Sequence, residues 1–174
     1  GVLIAILDTA GTFQNHPDLR SNSLEPLARN FTNSDTTEDI HGHGTHCAGI
    51  AAAANNGFGV IGVAPKAKLV PVKVLNDQGA GSYSWIAQGI RYIADLNITG
   101  VKARIISLSM GGSSGSSVLE SAVLYAISKG CIVVAAAGNS YRGENQNTMN
   151  FPARYEPVIA VGSIGENAQP SSFS

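Results

Sequence analysis

The chain has 174 residues, and its 11 lysines and arginines against 12 aspartates and glutamates give a formal net charge of −1. So neutral a chain lacks the excess of basic residues that binds nucleic acids or membrane surfaces, and we expect neither as a partner. Hydrophobic residues make up 44% of the sequence and charged residues 13%, which favours one folded domain with a large core over a disordered chain. No apolar run reaches the roughly 18 residues that a membrane-spanning helix needs, and two cysteines are too few for a disulfide scaffold.

Five short apolar runs predict strands that are buried on both faces of a sheet. In chain order they are residues 1–7, 67–75, 104–110, 131–137 and 157–164. Apolar or small residues at helical spacing predict three intervening helices, at residues 45–54, 83–96 and 118–128. This alternation is typical of an α/β fold with three layers, in which helices cover a doubly wound, mainly parallel sheet. Two polar stretches, 30–39 and 141–150, predict long surface loops.

Three polar residues lie where such a sheet places its chemistry, at or near the carboxyl ends of its strands. Asp8 follows the first strand, His43 stands near the start of the first helix, and Asn139 follows the fourth strand. A histidine at a helix start is held neutral by the positive helix end, which suits a general base. Each residue also has an ordinary structural alternative: a strand-terminating or capping carboxylate, a structural histidine, and an Asx turn.

The sequence around His43 contains three histidines, which raises the alternative of a metal site. His41, His43 and His46 lack the H-x-x-x-H spacing and the intervening glutamate of a zinc-binding helix. Glycines at 42 and 44 also make the first part of this segment a poor helix former. We therefore favour a turn that enters a helix and carries His43 at its start.

Taken together, the motifs Asp8-Thr9, His43-Gly-Thr-His46, Ser109-Met-Gly-Gly112 and Ala137-Gly-Asn139 resemble those of the subtilisin-like serine proteases, the subtilases. The resemblance covers essentially all 174 residues. It implies that Asp8 orients and stabilises an imidazolium, that His43 is the general base, and that Asn139 donates its amide to an oxyanion.

The resemblance also implies a cleft in which a polypeptide substrate lies extended between two chain segments. The residues that match these segments are Gly79, Ala80, Gly81, Ser109, Met110 and Gly111. Tyr83 and Met110 match the apolar walls of an outer pocket, and Ala136, Ala137 and Gly138 match one side of the primary pocket. Asn150 matches its floor and is bulkier than the glycine common there, so we expect a shallower or more polar pocket. Phe151-Pro152 matches a step that is cis in relatives.

A structural calcium site is a further implication of the resemblance. Asp18 and Asn56 match side-chain ligands of the strong calcium site of the family, and the carbonyls of Ala54, Phe58 and Val60 would add hard oxygen ligands. The alternative for the same residues is a hydrogen-bonded turn without an ion.

The nucleophilic serine of the family, in a G-T-S motif, has no match in the chain. Residues 1–174 are therefore predicted to be a partial subtilisin-like peptidase domain that lacks its N-terminal start and the C-terminal part that carries the serine. Ser113 lies in a G-x-S-x-G pattern typical of α/β-hydrolases, but that fold needs its histidine after the serine, and the last histidine is His46. His41 is interpreted as a loop residue, and Cys47 as a buried, inert thiol behind His43.

The predicted function is that of a serine endopeptidase, inactive without the missing segment. The alternative is a non-catalytic subtilase-like domain that binds peptides or regulates a protease. Expected partners are a polypeptide substrate, the C-terminal part of the same protease, and a propeptide or protein inhibitor. No organic cofactor is expected, and the compartment stays open between secretion, which fits most of the family, and the cytoplasm.

Overall fold

A computed structural model describes residues 1–140 and 149–174. The described strands are β1 (Val2–Asp8), β2 (Arg29–Asn30), β3 (Lys68–Lys73), β4 (Ala103–Leu108), β5 (Cys131–Ala136) and β6 (Ile159–Val161). The described α-helices are α1 (His43–Ala52), α2 (Tyr83–Asp95) and α3 (Ser117–Ser128), and a short 3₁₀ helix spans Glu25–Leu27. The strands form one sheet in the order β2-β3-β1-β4-β5-β6, and all five pairings are parallel. This is the doubly wound, mainly parallel α/β sheet that the alternating pattern predicts.

The five predicted strands are all present, with ends that move by a few residues. The two-residue strand β2 is missed because so short a segment has no periodicity, and Asn30 therefore ends a strand instead of opening a loop. The first helix begins at His43, two residues earlier than predicted, because Gly42 takes a left-handed conformation with φ of 87° and reverses the chain there. Of the predicted loop 141–150, residues 141–148 lie outside the described part of the chain.

Helices α2 and α3 pack on one face of the sheet and enclose the larger core cluster. Helix α1 packs on the opposite face, against β1 and β3, where Ala48 and Ala52 contact the row of Ile4 and Ile6. The outer strands on this second face are left bare: Ile132 is 43% exposed, and the side chains of β6 that share its face are about half exposed. The two faces of the sheet are thus covered unequally.

Neither α1, α2 nor α3 is long and apolar enough to cross a membrane, and the same holds for every helix in the described residues.

Candidate active site

The carboxylate of Asp8 and the imidazole of His43 form a close pair. Asp8 is the last residue of β1 and His43 the first of α1, and Asp8 Oδ1 lies 2.7 Å from His43 Nδ1. Gly44 allows this approach: a β-carbon there would lie 2.8 Å from the backbone nitrogen of Ala10 and 3.0 Å from Asp8 Cβ. The structure therefore brings together the two residues that the resemblance assigns as acid and base.

The two members of the pair have opposite environments. The Asp8 side chain is 1% exposed, whereas that of His43 is 40% exposed. Burial raises the pKa of Asp8, although hydrogen bonds from His43 and from the Thr9 backbone N–H act in the other direction. An ionised carboxylate only accepts hydrogen bonds, so it places the proton of a neutral imidazole on Nδ1 and leaves Nε2 as the basic nitrogen. The arrangement is that of an oriented general base.

A cleft of about 490 Å³ opens beside His43. It is lined by both predicted substrate segments and by Tyr83, whose hydroxyl donates to the carbonyl of Ser114 at 2.6 Å. The segment residues in its wall are Gly79, Ala80, Gly81, Ser109, Met110 and Gly111. Because glycines recur on both sides, a backbone can approach either wall closely.

The predicted primary-pocket residues do not line this cavity but meet beside it. The Asn150 backbone N–H donates to the Ala137 carbonyl at 2.8 Å. Its side chain lies so close to Gly111 and Gly138 that a β-carbon on either glycine would be within 2.8 Å of Asn150 atoms. Asn150 thus bridges the two segments predicted to flank the pocket. The following Phe151-Pro152 bond is cis, as the resemblance implies.

Asn139 is exposed and lies just beyond the end of β5. Gly138, with φ of 110°, turns the chain immediately before it. Within the described residues no hydrogen bond joins Asn139 to Asp8 or His43, and it follows a strand that runs parallel to β1 in the same sheet.

The two predicted calcium ligands lie next to each other. Asp18 is 4% exposed, and its carboxylate accepts from Asn56 Nδ2 at 3.2 Å and from the Val60 backbone N–H at 3.1 Å. The Asn56 Oδ1 atom accepts from the Phe58 N–H at 2.9 Å. This is the hydrogen-bonded turn considered above. The oxygen donors suit calcium, but an ion would have to replace the hydrogen bond between Asn56 and Asp18.

Two residues near His43 differ in how well the sequence predicted them. Cys47 lies beside His43 as predicted, with Sγ 4.0 and 3.9 Å from Nδ1 and Nε2, but it is only partly buried. This burial raises the pKa of its thiol, which fits a protonated and inert group. His41, by contrast, is more than a loop residue. It lines the cleft, and its ring stands edge-on to that of His43 with centroids 6.1 Å apart. His41 is exposed, and its ring lies against Gly79 on the wall of the cleft, a position that residue type alone does not reveal.

Three residues to which the sequence assigned no role surround the acid–base pair. They are Thr9, which belongs to the Asp8-Thr9 motif, and Asp39 and Lys73, which belong to no motif. Asp39 lies in a polar stretch whose composition is that of an ordinary loop. Lys73 lies within the apolar run 67–75, and lysines are mostly exposed in folded proteins. Lys73 is nevertheless fully buried. Only the register between β1 and β3, which pairs Lys73 with Asp8, brings it beneath the site.

The fold and the site together define a doubly wound α/β protein with an oriented acid–base pair at the carboxyl edge of its sheet and a backbone-lined cleft beside it. A sequence model of the subtilase family matches residues 1–174. The chain belongs to the subtilase family.

Individual relatives agree with this assignment. The chain is 47% identical to thermitase of Thermoactinomyces vulgaris over 176 residues, which cover 100% of this chain and 59% of that protein. It is 42% identical over 180 residues to an intracellular serine protease of Paenibacillus polymyxa, of which it covers 53%. Among solved structures, sphericase superposes with a TM-score of 0.87 at 40% identity, over 100% of this chain and 58% of that one. The chain thus spans little more than half the length of these relatives.

Proposed function

We propose that the protein to which this chain belongs is a serine endopeptidase, and that the chain contributes the acid, the base and the oxyanion donor. The observation that carries the proposal is the 2.7 Å contact between Asp8 and His43. Family membership supports it, because a buried acid and an oriented histidine at these positions serve a serine nucleophile.

In the proposed mechanism, His43 Nε2 takes the proton of a serine hydroxyl as its oxygen attacks the scissile carbonyl. The Asp8 carboxylate stabilises the resulting imidazolium and keeps the ring oriented. The side-chain amide of Asn139 donates to the oxygen that becomes negatively charged. His43 then passes its proton to the leaving amine, and a water molecule hydrolyses the acyl-enzyme by the same proton transfers in reverse order.

We place the serine on a segment outside residues 1–174. Support comes from the bare half of the sheet, on the face that also carries α1. Ile132, Ile159 and Val161 are 43%, 53% and 51% exposed there. Exposed apolar surface of this extent on a sheet face calls for a covering segment. A covering segment on the side of α1 would bring its residues towards His43.

The proposed substrate is a polypeptide that adds as an extended strand between residues 79–81 and 109–111. Main-chain hydrogen bonds would supply affinity, and side-chain pockets would supply selectivity. The Asn150 side chain partly fills the space between Gly111 and Gly138, which supports a primary pocket that is shallow and carries a polar group.

The test uses the intact protein and a fluorophosphonate probe, which reacts with an activated serine. We expect labelling that His43→Ala abolishes. Asn139→Ala should slow turnover by the 10²- to 10³-fold known for the corresponding donor in subtilisin, with little change in KM. Full peptide binding without any labelling would instead identify a non-catalytic peptide-binding domain and would overturn the proposal.

A further inference from the structure

Thr9, the residue after Asp8, forms hydrogen bonds through its backbone N–H, its hydroxyl and its carbonyl. Its backbone N–H donates to Asp8 Oδ1 at 2.7 Å, so its position fixes that of the carboxylate. Its hydroxyl donates to Asp39 Oδ1 at 2.7 Å, and its carbonyl accepts from Lys73 Nζ at 2.6 Å. Thr9 is fully buried, and its bonds to Asp8 and Lys73 are shielded from water, whereas its bond to Asp39 is partly buried. The carboxylate of Asp39 and the ammonium of Lys73 therefore both bind Thr9, one at its side chain and the other at its backbone.

Asp39 ties Thr9 to the start of the helix that carries His43. Besides the Thr9 hydroxyl, its carboxylate accepts from the Gly42 N–H at 2.8 Å and from the N–H and hydroxyl of Thr45 at 2.8 and 2.7 Å. The Thr9 hydroxyl in turn accepts from the Gly44 N–H at 2.9 Å. These bonds reach the residues on both sides of His43.

The charge on Asp39 is consistent with this network. Partial burial acts to raise the pKa of Asp39, but the hydrogen bonds from Thr9 and Thr45 outweigh it and leave the pKa below its ordinary value. The side chain is therefore ionised at neutral pH, and it also sits favourably near the amino end of α1.

Lys73 donates hydrogen bonds to the backbone on both sides of this network, at Thr9 and at Glu38. It is fully buried at the end of β3, in register with Asp8, and its Nζ lies 3.3 Å from the Glu38 carbonyl oxygen. Its charge is balanced by Asp77 at 2.9 Å. The Asp77 side chain is 25% exposed, and an ion pair that buries only its cation recovers little of the cost of removing that charge from water. Stability alone therefore does not account for a lysine at this position.

We propose that Asp39 and Lys73 are positioning residues, which act through Thr9 to fix the Asp8 carboxylate at hydrogen-bonding distance from His43. The strand end and the helix start are separate elements, and a displacement of about 1 Å between catalytic groups can cost on the order of 100-fold in rate. Asp39 joins the two elements, and Lys73 holds Thr9 and the segment before Asp39 in place. The catalytic consequence rests on the proposed function, whereas the geometric one does not.

The geometric consequence is tested by NMR on the intact protein labelled with ¹⁵N-histidine. The probe is the Nδ1–H proton of His43, which a hydrogen bond to a carboxylate shifts downfield and which His43→Gln assigns. We expect Asp39→Asn, Lys73→Met and Thr9→Val each to move or broaden this signal, and Thr9→Ser, which keeps the hydroxyl, to restore it.

Thr12→Val is the matched control. It removes a threonine hydroxyl that donates to the Glu25 carboxylate at 2.8 Å, a bond of the same kind in the same loop but outside the network. We expect it to lower the melting temperature without moving the His43 signal. In the same proteins, kcat should fall roughly tenfold for Asp39→Asn with KM within about twofold, and should stay unchanged for Thr12→Val.

The outcomes separate the two proposals. If Asp39→Asn and Lys73→Met lower only the melting temperature and leave the His43 signal where Thr12→Val leaves it, the residues are structural and this inference is wrong. A protein without protease activity would overturn the proposed function, yet the NMR measurement would still decide the role of the network.

Discussion

At the scale of single residues, the acid of the pair is held in an unfavourable environment. Asp8 is buried, and its Oδ2 atom has no hydrogen-bond partner among the described residues. A buried acceptor without a partner costs stability, and so does a buried charge. The site therefore favours orientation of His43 over stability of the fold.

This predicts that Asp8→Asn stabilises the protein at neutral pH while it abolishes probe labelling. Because burial raises the pKa of folded Asp8 above the value of 3.8 for an unfolded chain, the native state binds more protons between these two values. Stability of the wild type therefore falls as the pH rises through this window, and the asparagine variant lacks that part of the decline. We expect the melting temperature of the variant to exceed that of the wild type by an amount that grows as the pH is raised from 3 to 7. A difference in melting temperature that does not change with pH, or that favours the wild type, would contradict the expected cost of ionising Asp8.

The residues of the pair could be predicted from the sequence, whereas those that hold them could not. Asp8 and His43 lie in short local motifs, and local spacing is what a sequence displays. Asp39 and Lys73 act through Thr9, and Lys73 reaches it only because β3 pairs with β1. That pairing joins segments that are far apart in the sequence, so no local pattern of residues predicts it.

At the scale of elements, the contact between α1 and the end of β1 depends on the absence of a side chain at residue 44. An added β-carbon would meet the backbone of Ala10, which cannot move aside as a flexible side chain would. The same helix contains a second glycine, Gly49, whose β-carbon would meet nothing within 4 Å. Comparing substitutions at the two glycines therefore separates the effect of packing from the effect of helix propensity.

We predict that Gly44→Ala destabilises the protein by about 1–3 kcal/mol through overpacking, despite the higher helix propensity of alanine. It should also weaken the hydrogen bond between Asp8 and His43, because α1 is pushed away from β1. Gly49→Ala, the control, should be neutral or stabilise by up to about 1 kcal/mol. Urea unfolding of both variants measures the difference, and equal effects would show that α1 does not depend on close contact at residue 44.

Elements also show where sequence patterns suffice. Continuous apolar runs predicted β1, β3, β4 and β5 to within a few residues at each end, because a parallel strand buried on both faces requires apolar residues at nearly every position. The start of α1 was misplaced because glycine disfavours a helix on average, whereas here Gly44 is required by the contact it permits.

At the scale of the whole molecule, Asp18 and Asn56 connect the loop before β2 to the loop after α1. We propose that a calcium ion stabilises this connection. Chelation by EDTA should then lower the melting temperature by mass action, and restored calcium should raise it again. Asp18→Asn should remove the response to both treatments. If EDTA leaves the melting temperature of the wild type unchanged, no calcium ion is bound there, and the residues form only the hydrogen-bonded turn.

The order of the strands has a consequence for how the chain reaches this fold. β1 comes first in the sequence but lies in the interior of the sheet, and Ile4 pairs with Leu69 and Ile105, roughly 65 and 100 residues later. The strand that ends in Asp8 therefore has no hydrogen-bonding neighbour in the described sheet until β3 has been made, and it gains its second neighbour only with β4. Closing such long loops before any contact compensates for them makes folding slow, and an apolar strand stays open to wrong partners meanwhile. Asp8 is thus synthesised before His43, yet the strand that carries it cannot be paired on both sides until β4 has been made.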